Sequence, residues 1–277
     1  MNTHPLHSID WYKADHRRQY PEGTSLVFSN FTPRSSRIDG VESVVFFGLQ
    51  YFIQRFLAHE WDVNFFSRPV EEVVARYKRR VDNALGKDTV PMDHIRALHA
   101  LGYLPVRILA LPEGSRVPIG VPPVVIHNTH PSGFWLPNYL ETILSATLWQ
   151  PCTSATIAAE YKKEFVRAAK ETGADVGFTS FQGHDFSFRG MPGIEAACTS
   201  GAAHLLSFVG SDTVPAIDFL EQYYGADSDK ELVGCSVAAT EHSVASLVSM
   251  DRAAIITSVE EEWNEASQTW KFIRSLP

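Results

Sequence analysis

The feature that most constrains this chain is a repetition in its second half. Three times between residues 175 and 250, an apolar run leads into a short polar loop and then into a helix-patterned segment. The first unit has a strand near 175–182, the loop HDFSFRG at 184–190 and a helix over 194–206. The second has a strand near 205–209, then Gly210-Ser211-Asp212-Thr213 and a helix over 214–224. The third has a strand near 232–237, then Ala238-Ala239-Thr240-Glu241-His242 and a helix over 243–250. Strands that alternate with helices predict a parallel sheet or barrel. In a (β/α) barrel the reactive groups sit on the loops that follow the strands. The polar residues of this chain fall in those places.

The expected fold class is therefore α/β: an incomplete (β/α) barrel-like domain over 151–277 behind an α+β N-terminal lobe over 1–150. A barrel takes about eight such units, so either the three counted here are completed by another chain or by lost sequence, or the fold is not a barrel. In the lobe, Phe47, Tyr51, Phe52 and Phe56 recur at helical spacing and predict a helix over 44–59. Val70, Val73, Val74, Tyr77 and Val81 predict another over 69–85. Strands are expected at 106–109 and 124–126, with turn chemistry at Pro112-Glu113-Gly114 between them. Helical patterns return at 134–149 and again at 154–172.

Composition narrows the function. A formal net charge of -8 argues against broad capture of nucleic acid or of an anionic membrane. The apolar run 41–57 is interrupted by Glu42, Gln50, Gln54 and Arg55, which makes it too polar and too short to span a bilayer. The first twenty residues contain no apolar signal-peptide core. Cys152, Cys198 and Cys235 are far apart and form no CxxC pair, as expected of reduced thiols in a cytoplasmic protein. Phosphate-loop, dinucleotide, HExxH and GxSxG signatures are absent from the sequence.

Each of the three loops carries candidate chemistry. His184, Asp185, Phe186 and Arg189 put an aromatic ring beside a guanidinium, which suits a flat heteroaromatic ring and an anionic group. The same residues would equally make a structural Asp–Arg pair beside a core phenylalanine. Asp212 could accept hydrogen bonds from a substrate amide, or could cap the next helix. Glu241 beside His242 could raise the basicity of the imidazole, or could simply start a helix.

Taken in order, the motifs resemble one family. They are Asp10-Trp11-Tyr12-Lys13, His16, Gln19-Tyr20-Pro21, Phe31, Arg34, Phe47-Gly48-Leu49-Gln50-Tyr51, Pro112-Glu113-Gly114 and Trp135-Leu136. Glu141-Thr142-Ile143-Leu144, HDFSFRG, GSDTV and SVAATEHS follow. Together they resemble the nicotinamide phosphoribosyltransferases over nearly the whole chain to about residue 250.

That resemblance implies a glycosyltransferase of NAD salvage, which joins nicotinamide to phosphoribosyl pyrophosphate with Mg2+ on the donor and releases pyrophosphate. It implies that Phe186 stacks on one face of nicotinamide, while Tyr12 covers the other from the partner subunit of a homodimer. Asp212 would accept the carboxamide N–H and repel ionised nicotinate. Arg189 would bind the diphosphate or product phosphate, and Arg34 would reach phosphates across the dimer. Ser236 and Val237 would line the ring tunnel. His242, supported by Glu241, would be phosphorylated by ATP. In the family, later barrel strands carry much of the phosphoribosyl grip, so a separate C-terminal chain is an expected partner and the isolated chain is expected to be weakly active or inactive. Two alternatives stand beside this. A nicotinate phosphoribosyltransferase would prefer the acid to the amide; a non-catalytic half or dimerisation module would not bind nicotinamide at all.

Overall fold

The computed structural model describes residues 4–249. The chain divides into two compact units, 1–235 and 236–277, and each is described by itself. In chain order the first unit begins with α1 (Lys13–His16), β1 (Phe28–Phe31), β2 (Ser43–Val45), α2 (Leu49–Phe52), α3 (Val70–Leu85) and α4 (Asp93–Leu101). Then come β3 (Val106–Ala110), β4 (Arg116–Pro118), β5 (Val124–Asn128), α5 (Leu136–Tyr139) and α6 (Glu141–Thr172). It closes with β6 (His184–Asp185), α7 (Ile194–His204), β7 (Gly210–Ser211) and α8 (Pro215–Tyr224). The described part of the second unit holds α9 (His242–Ser249). This is a mixed α/β fold. Among the described residues, no helix is long and apolar enough to cross a membrane.

The small β-rich segment forms as the apolar runs predict. An antiparallel sheet has the order β1-β5-β3, with Phe31 opposite Val124 and Ile108 opposite Ile126. A second antiparallel pair joins β2 to β4. In α3, Val73, Val74, Tyr77 and Val81 are buried, and they pack with Trp61, Phe65, Ile95 and Trp135. The 3.6-residue period lines these side chains along one stripe, so burying the stripe is what holds the helix.

The 44–59 helix is corrected by the structure. Residues 43–45 are strand, and the helix starts only at Leu49, continuing in wider turns through Ile53–Glu60 and Asp62–Phe66. Glu113 explains the late start. Its carboxylate accepts the backbone N–H of Gly48 and of Gln50, both at 2.6 Å, and so satisfies the open end of α2 from 65 residues away. The Tyr224 hydroxyl donates to the same carboxylate at 2.8 Å, which ties α8 to this corner. Glu113→Ala is therefore expected to lower unfolding free energy by about 2 kcal/mol, and Glu113→Gln by about half as much. Urea denaturation of the parent and both variants measures this.

The helices at 134–149 and 154–172 are also corrected. After the short α5, one helix of 32 residues runs from Glu141 to Thr172 with Pro151 inside it, so residue 150 lies mid-helix. An interior proline gives up one backbone hydrogen bond and normally kinks or ends a helix. Here Pro151 is buried against Gly48: a Cβ added at Gly48 would lie 2.9 Å from the proline Cγ. Gly48 also has φ +106°, a conformation open to glycine. The helix survives because tertiary packing replaces what the proline removes.

The first two strands of the repeat lie a few residues later than the apolar runs suggest and are short, and the third is a single bridge at Cys235, inside its expected range. Residues 177–181 form a tight helical turn, with the Asp175 carboxylate accepting the Gly177 N–H at 2.8 Å. Phe178 and Phe181 are exposed there. The strands are β6 and β7, paired in parallel, with His184 opposite Gly210 and Asp185 opposite Ser211. Cys235 makes a further parallel bridge to Gly210. The parallel order expected from the repeat is therefore present, with α7 and α8 following β6 and β7.

Candidate active site

The site is built where β6 and β7 end. Asp185, at the end of β6, is 7% exposed and accepts from three groups. These are the Ser187 N–H at 2.9 Å, the Thr213 hydroxyl at 2.6 Å and the Ser211 hydroxyl at 3.2 Å. The Asp212 N–H also donates to the Asp185 carbonyl at 2.9 Å. Burial by itself would raise the Asp185 pKa; hydrogen bonds from Ser187 and Thr213 outweigh it and hold the carboxyl below the usual carboxylate value. An ionised buried carboxylate thus locks the loop after β6 to the loop after β7.

This resolves the first alternative left open by the sequence. Asp185 is not paired with Arg189; its partners are hydroxyls and a backbone N–H. Phe186 is not a core residue, being 70% exposed. Its ring lies 4.5 Å from the His184 ring, centroid to centroid, at 34°. His184 Nε2 in turn lies 2.8 Å from Asp212 Oδ1. Phe186 and Asp212 therefore flank one imidazole. Asp212 does not serve as a helix cap: α8 begins at Pro215, and the Ser211 hydroxyl accepts the Thr213 N–H at 3.0 Å.

Two glycines let these groups approach. A Cβ on Gly210 would lie 2.6 Å from His184 Nδ1, and one on Gly183 would lie 2.5 Å from the Phe208 ring. Beside them, a cavity of about 450 Å³ is lined by Tyr161, Phe165, His184, Phe186, His204 and Phe208, among others. These six rings suit a flat ring ligand; Asp212 stands beside the cavity, through His184, and does not line it. Arg189 is exposed in the turn Ser187–Gly190, next along the chain from this cluster. That His184 bridges the aromatic and the acid is signalled in the sequence only by its place directly before Asp185 and Phe186.

Tyr12 and Arg34 occupy a second surface. Tyr12 is exposed, with its ring 5.0 Å from that of His16. The next residue, Lys13, is buried and donates to Glu141 and Asn138. Glu141 and Arg34 line a common cavity of about 630 Å³ with Asn30, Thr32 and Ser145. Tyr12 and Phe186 share no ring contact within the chain. In the second unit, Ser236, Val237, Glu241 and His242 are all exposed. Glu241 accepts from the Ser243 hydroxyl and, through its carbonyl, from the Ala245 N–H at 2.9 Å. His242 is the first residue of α9.

Comparison with known proteins decides among the families this geometry could serve. The family model described as "Nicotinamide phosphoribosyltransferase, N-terminal domain" matches residues 5–108. The chain is 55% identical over 249 residues to a nicotinamide phosphoribosyltransferase of Acinetobacter baylyi, covering 88% of this chain and 49% of that protein. The chain is a relative of the nicotinamide phosphoribosyltransferases. A relative of that name from Xanthomonas campestris pv. campestris is 33% identical over 247 residues, covering 86% of this chain and 48% of its own length. The chain thus spans about half the length of the curated relatives it matches. Residues 181–275 also match the "Nicotinate phosphoribosyltransferase (NAPRTase) family". The fold resembles that of human nicotinic acid phosphoribosyltransferase, with a TM-score of 0.51 and 20% identity over 84% of this chain and 39% of that one.

Proposed function

We propose that the chain carries the nicotinamide-recognising part of an enzyme that converts nicotinamide and phosphoribosyl pyrophosphate to nicotinamide mononucleotide and pyrophosphate. The observation that carries this is the grouping of Phe186 and Asp212 about His184, beside an aromatic cavity. Phe186 stacks on the pyridine ring. Asp212 accepts the carboxamide N–H, and its bond to His184 fixes the direction in which the carboxylate faces. Ring nitrogen must attack the anomeric carbon as pyrophosphate leaves, so the protein's task on this side is to hold the ring in line. Charge on the departing diphosphate falls to Arg189, and to Arg34 from the partner of a homodimer, which would also supply Tyr12 to the open face of the ring.

Among the described residues no three His, Cys, Asp or Glu groups converge to hold a metal. The described residues do not fit a protein cage for Mg2+, which would enter with the donor substrate. By the family resemblance Ser236 and Val237 line the ring tunnel, and His242, with Glu241, takes a phosphoryl group from ATP. A cytoplasmic setting fits such a salvage enzyme, and a C-terminal chain or segment would complete the phosphoribosyl grip.

The match of 181–275 to the nicotinate family makes the amide the point to test. Two like charges 4 Å apart repel by about 1 kcal/mol in water and about 4 kcal/mol near a protein surface. The Asp212 side chain is 49% exposed, which favours the lower end. Asp212→Asn is therefore expected to reduce the preference for nicotinamide over nicotinate by about tenfold. Steady-state kinetics with both substrates, on the chain joined by its C-terminal completion, measures it; an unchanged ratio would remove Asp212 from amide recognition.

A further inference from the structure

A second ligand site lies far along the chain from the Phe186 cluster. His4 is 1% exposed, and its Nδ1 accepts the Leu6 N–H at 3.3 Å. A ring nitrogen that accepts carries no proton, so in the neutral imidazole the proton is on Nε2. That Nε2 is buried and has no hydrogen-bond partner. An unmet buried N–H is costly; His7 Nε2, on a ring 4.9 Å from that of His4, is unmet as well. Burial, with His7, Arg76 and Arg80 adding positive charge, pushes the His4 pKa down to about 3, so the ring stays neutral and keeps this tautomer.

His4 lines a cavity of about 100 Å³ together with Asn64, Arg68, Glu72, Val73 and Arg76. Among the described residues, neither Arg68 nor Arg76 forms an ion pair. Arg68 Nε donates to the Val63 carbonyl at 3.2 Å, which orients that guanidinium while leaving its terminal nitrogens for another acceptor. Two guanidiniums against one carboxylate leave the lining net positive. The buried Asn64 adds polarity to the floor; its amide nitrogen donates to Glu60 at 2.5 Å.

We propose that this cavity binds one tetrahedral phosphate group between the guanidiniums of Arg68 and Arg76, with the neutral His4 ring in its wall. A nucleotide is too large for the cavity, whereas free phosphate or the end of a short polyphosphate fits. Occupation would pin the 4–7 segment to α3, because His4 lies in that segment and Arg76 on that helix.

The test is thermal unfolding of the full chain in millimolar phosphate, pyrophosphate or chloride at equal ionic strength. Ligand binding to the folded state raises Tm with concentration. Phosphate is expected to raise Tm by several degrees over chloride in the parent and in Arg189→Ala, and to lose that effect in Arg68→Ala and Arg76→Ala. A stronger response to phosphate assigns the free ion; a stronger response to pyrophosphate assigns a terminal phosphate group. A shift that survives in both cavity variants, or one that disappears with Arg189→Ala, would overturn the proposal. So would a crystal grown with sulfate that holds only water beside His4. Because the readout is stability and not turnover, the outcome does not depend on the activity proposed above.

Discussion

Asp185→Ala is expected to cost about 3 kcal/mol of stability and to abolish nicotinamide turnover, although Asp185 itself touches no substrate in the proposed mechanism. Three donors converge on its carboxylate: the Ser187 N–H and the Ser211 and Thr213 hydroxyls. Hydrogen bonds to a charged group contribute about 1.5–3 kcal/mol each, and stranding buried donors adds a desolvation penalty. Those donors belong to the two loops that hold Phe186 and Asp212, so losing the carboxylate frees both loops at once. Asp185→Asn keeps the shape but replaces acceptor capacity with an N–H, and should fall between parent and alanine.

The same residue predicts a pH dependence. Its folded-state pKa is depressed below the unfolded value. Its contribution is therefore fully present above the unfolded pKa, about 3.9. It is lost as pH falls through the lower folded value. Acid titration of stability should show a carboxylate-linked loss below about pH 4 that is missing in Asp185→Ala. If the two proteins lost stability in parallel through that range, Asp185 would not be the ionised lock described here.

How far the fold could be read from the sequence depended on whether a segment's own side chains decided it. In α3 they did, because Val73, Val74, Tyr77 and Val81 face a core and the stripe is the reason for the helix. The β3 and β5 runs were legible for the same reason. The start of α2 was not, since the capping carboxylate of Glu113 is 65 residues away. Nor was the continuity of α6, where local chemistry at Pro151 argues for a break and only packing on Gly48 overrules it. The parallel strands were displaced because the residues that pair, His184-Asp185 and Gly210-Ser211, are polar or lack side chains. They are chosen for the site and not for the core. Val176, Phe178 and Phe181, apolar enough to look like a strand, are exposed.

The candidate site was legible in its parts and not in its wiring. Spacing placed Phe186 and Asp212 on successive loops, which is all a parallel repeat needs to bring them to one end of a sheet. That His184 would stand between them follows from the register of β6 on β7 and from the missing side chain at Gly210. No single loop contains that information. Opposite charges four residues apart invite a pairing of Asp185 with Arg189. Hydroxyls from the neighbouring loop satisfy Asp185 instead, which leaves the Arg189 charge to other work.

Phe186→Ala should have a comparably large effect, and one that reports on recognition alone. An aromatic side chain stacked on a heteroaromatic base contributes about 1–3 kcal/mol by alanine substitution, or roughly 5–150-fold. Phe186 is 70% exposed, so its removal leaves no core cavity and stability should change little. The expected signature is a nicotinamide KM raised by that factor, with an unaltered melting temperature and recovery in Phe186→Tyr. The proposed homodimer adds a sharper form of the same test. If Tyr12 of one subunit covers the ring held by Phe186 of its partner, a mixed dimer of Tyr12→Ala and Phe186→Ala has one intact site and one doubly damaged site. Random reassortment makes half the dimers mixed, so with nicotinamide well below KM about a quarter of parental activity should return on mixing the two impaired variants. Recovery to that level requires the two aromatic groups to meet across a subunit boundary. If mixing returned only the average of the two variants, Tyr12 and Phe186 would not share a site, and the second face of the ring would need another cover.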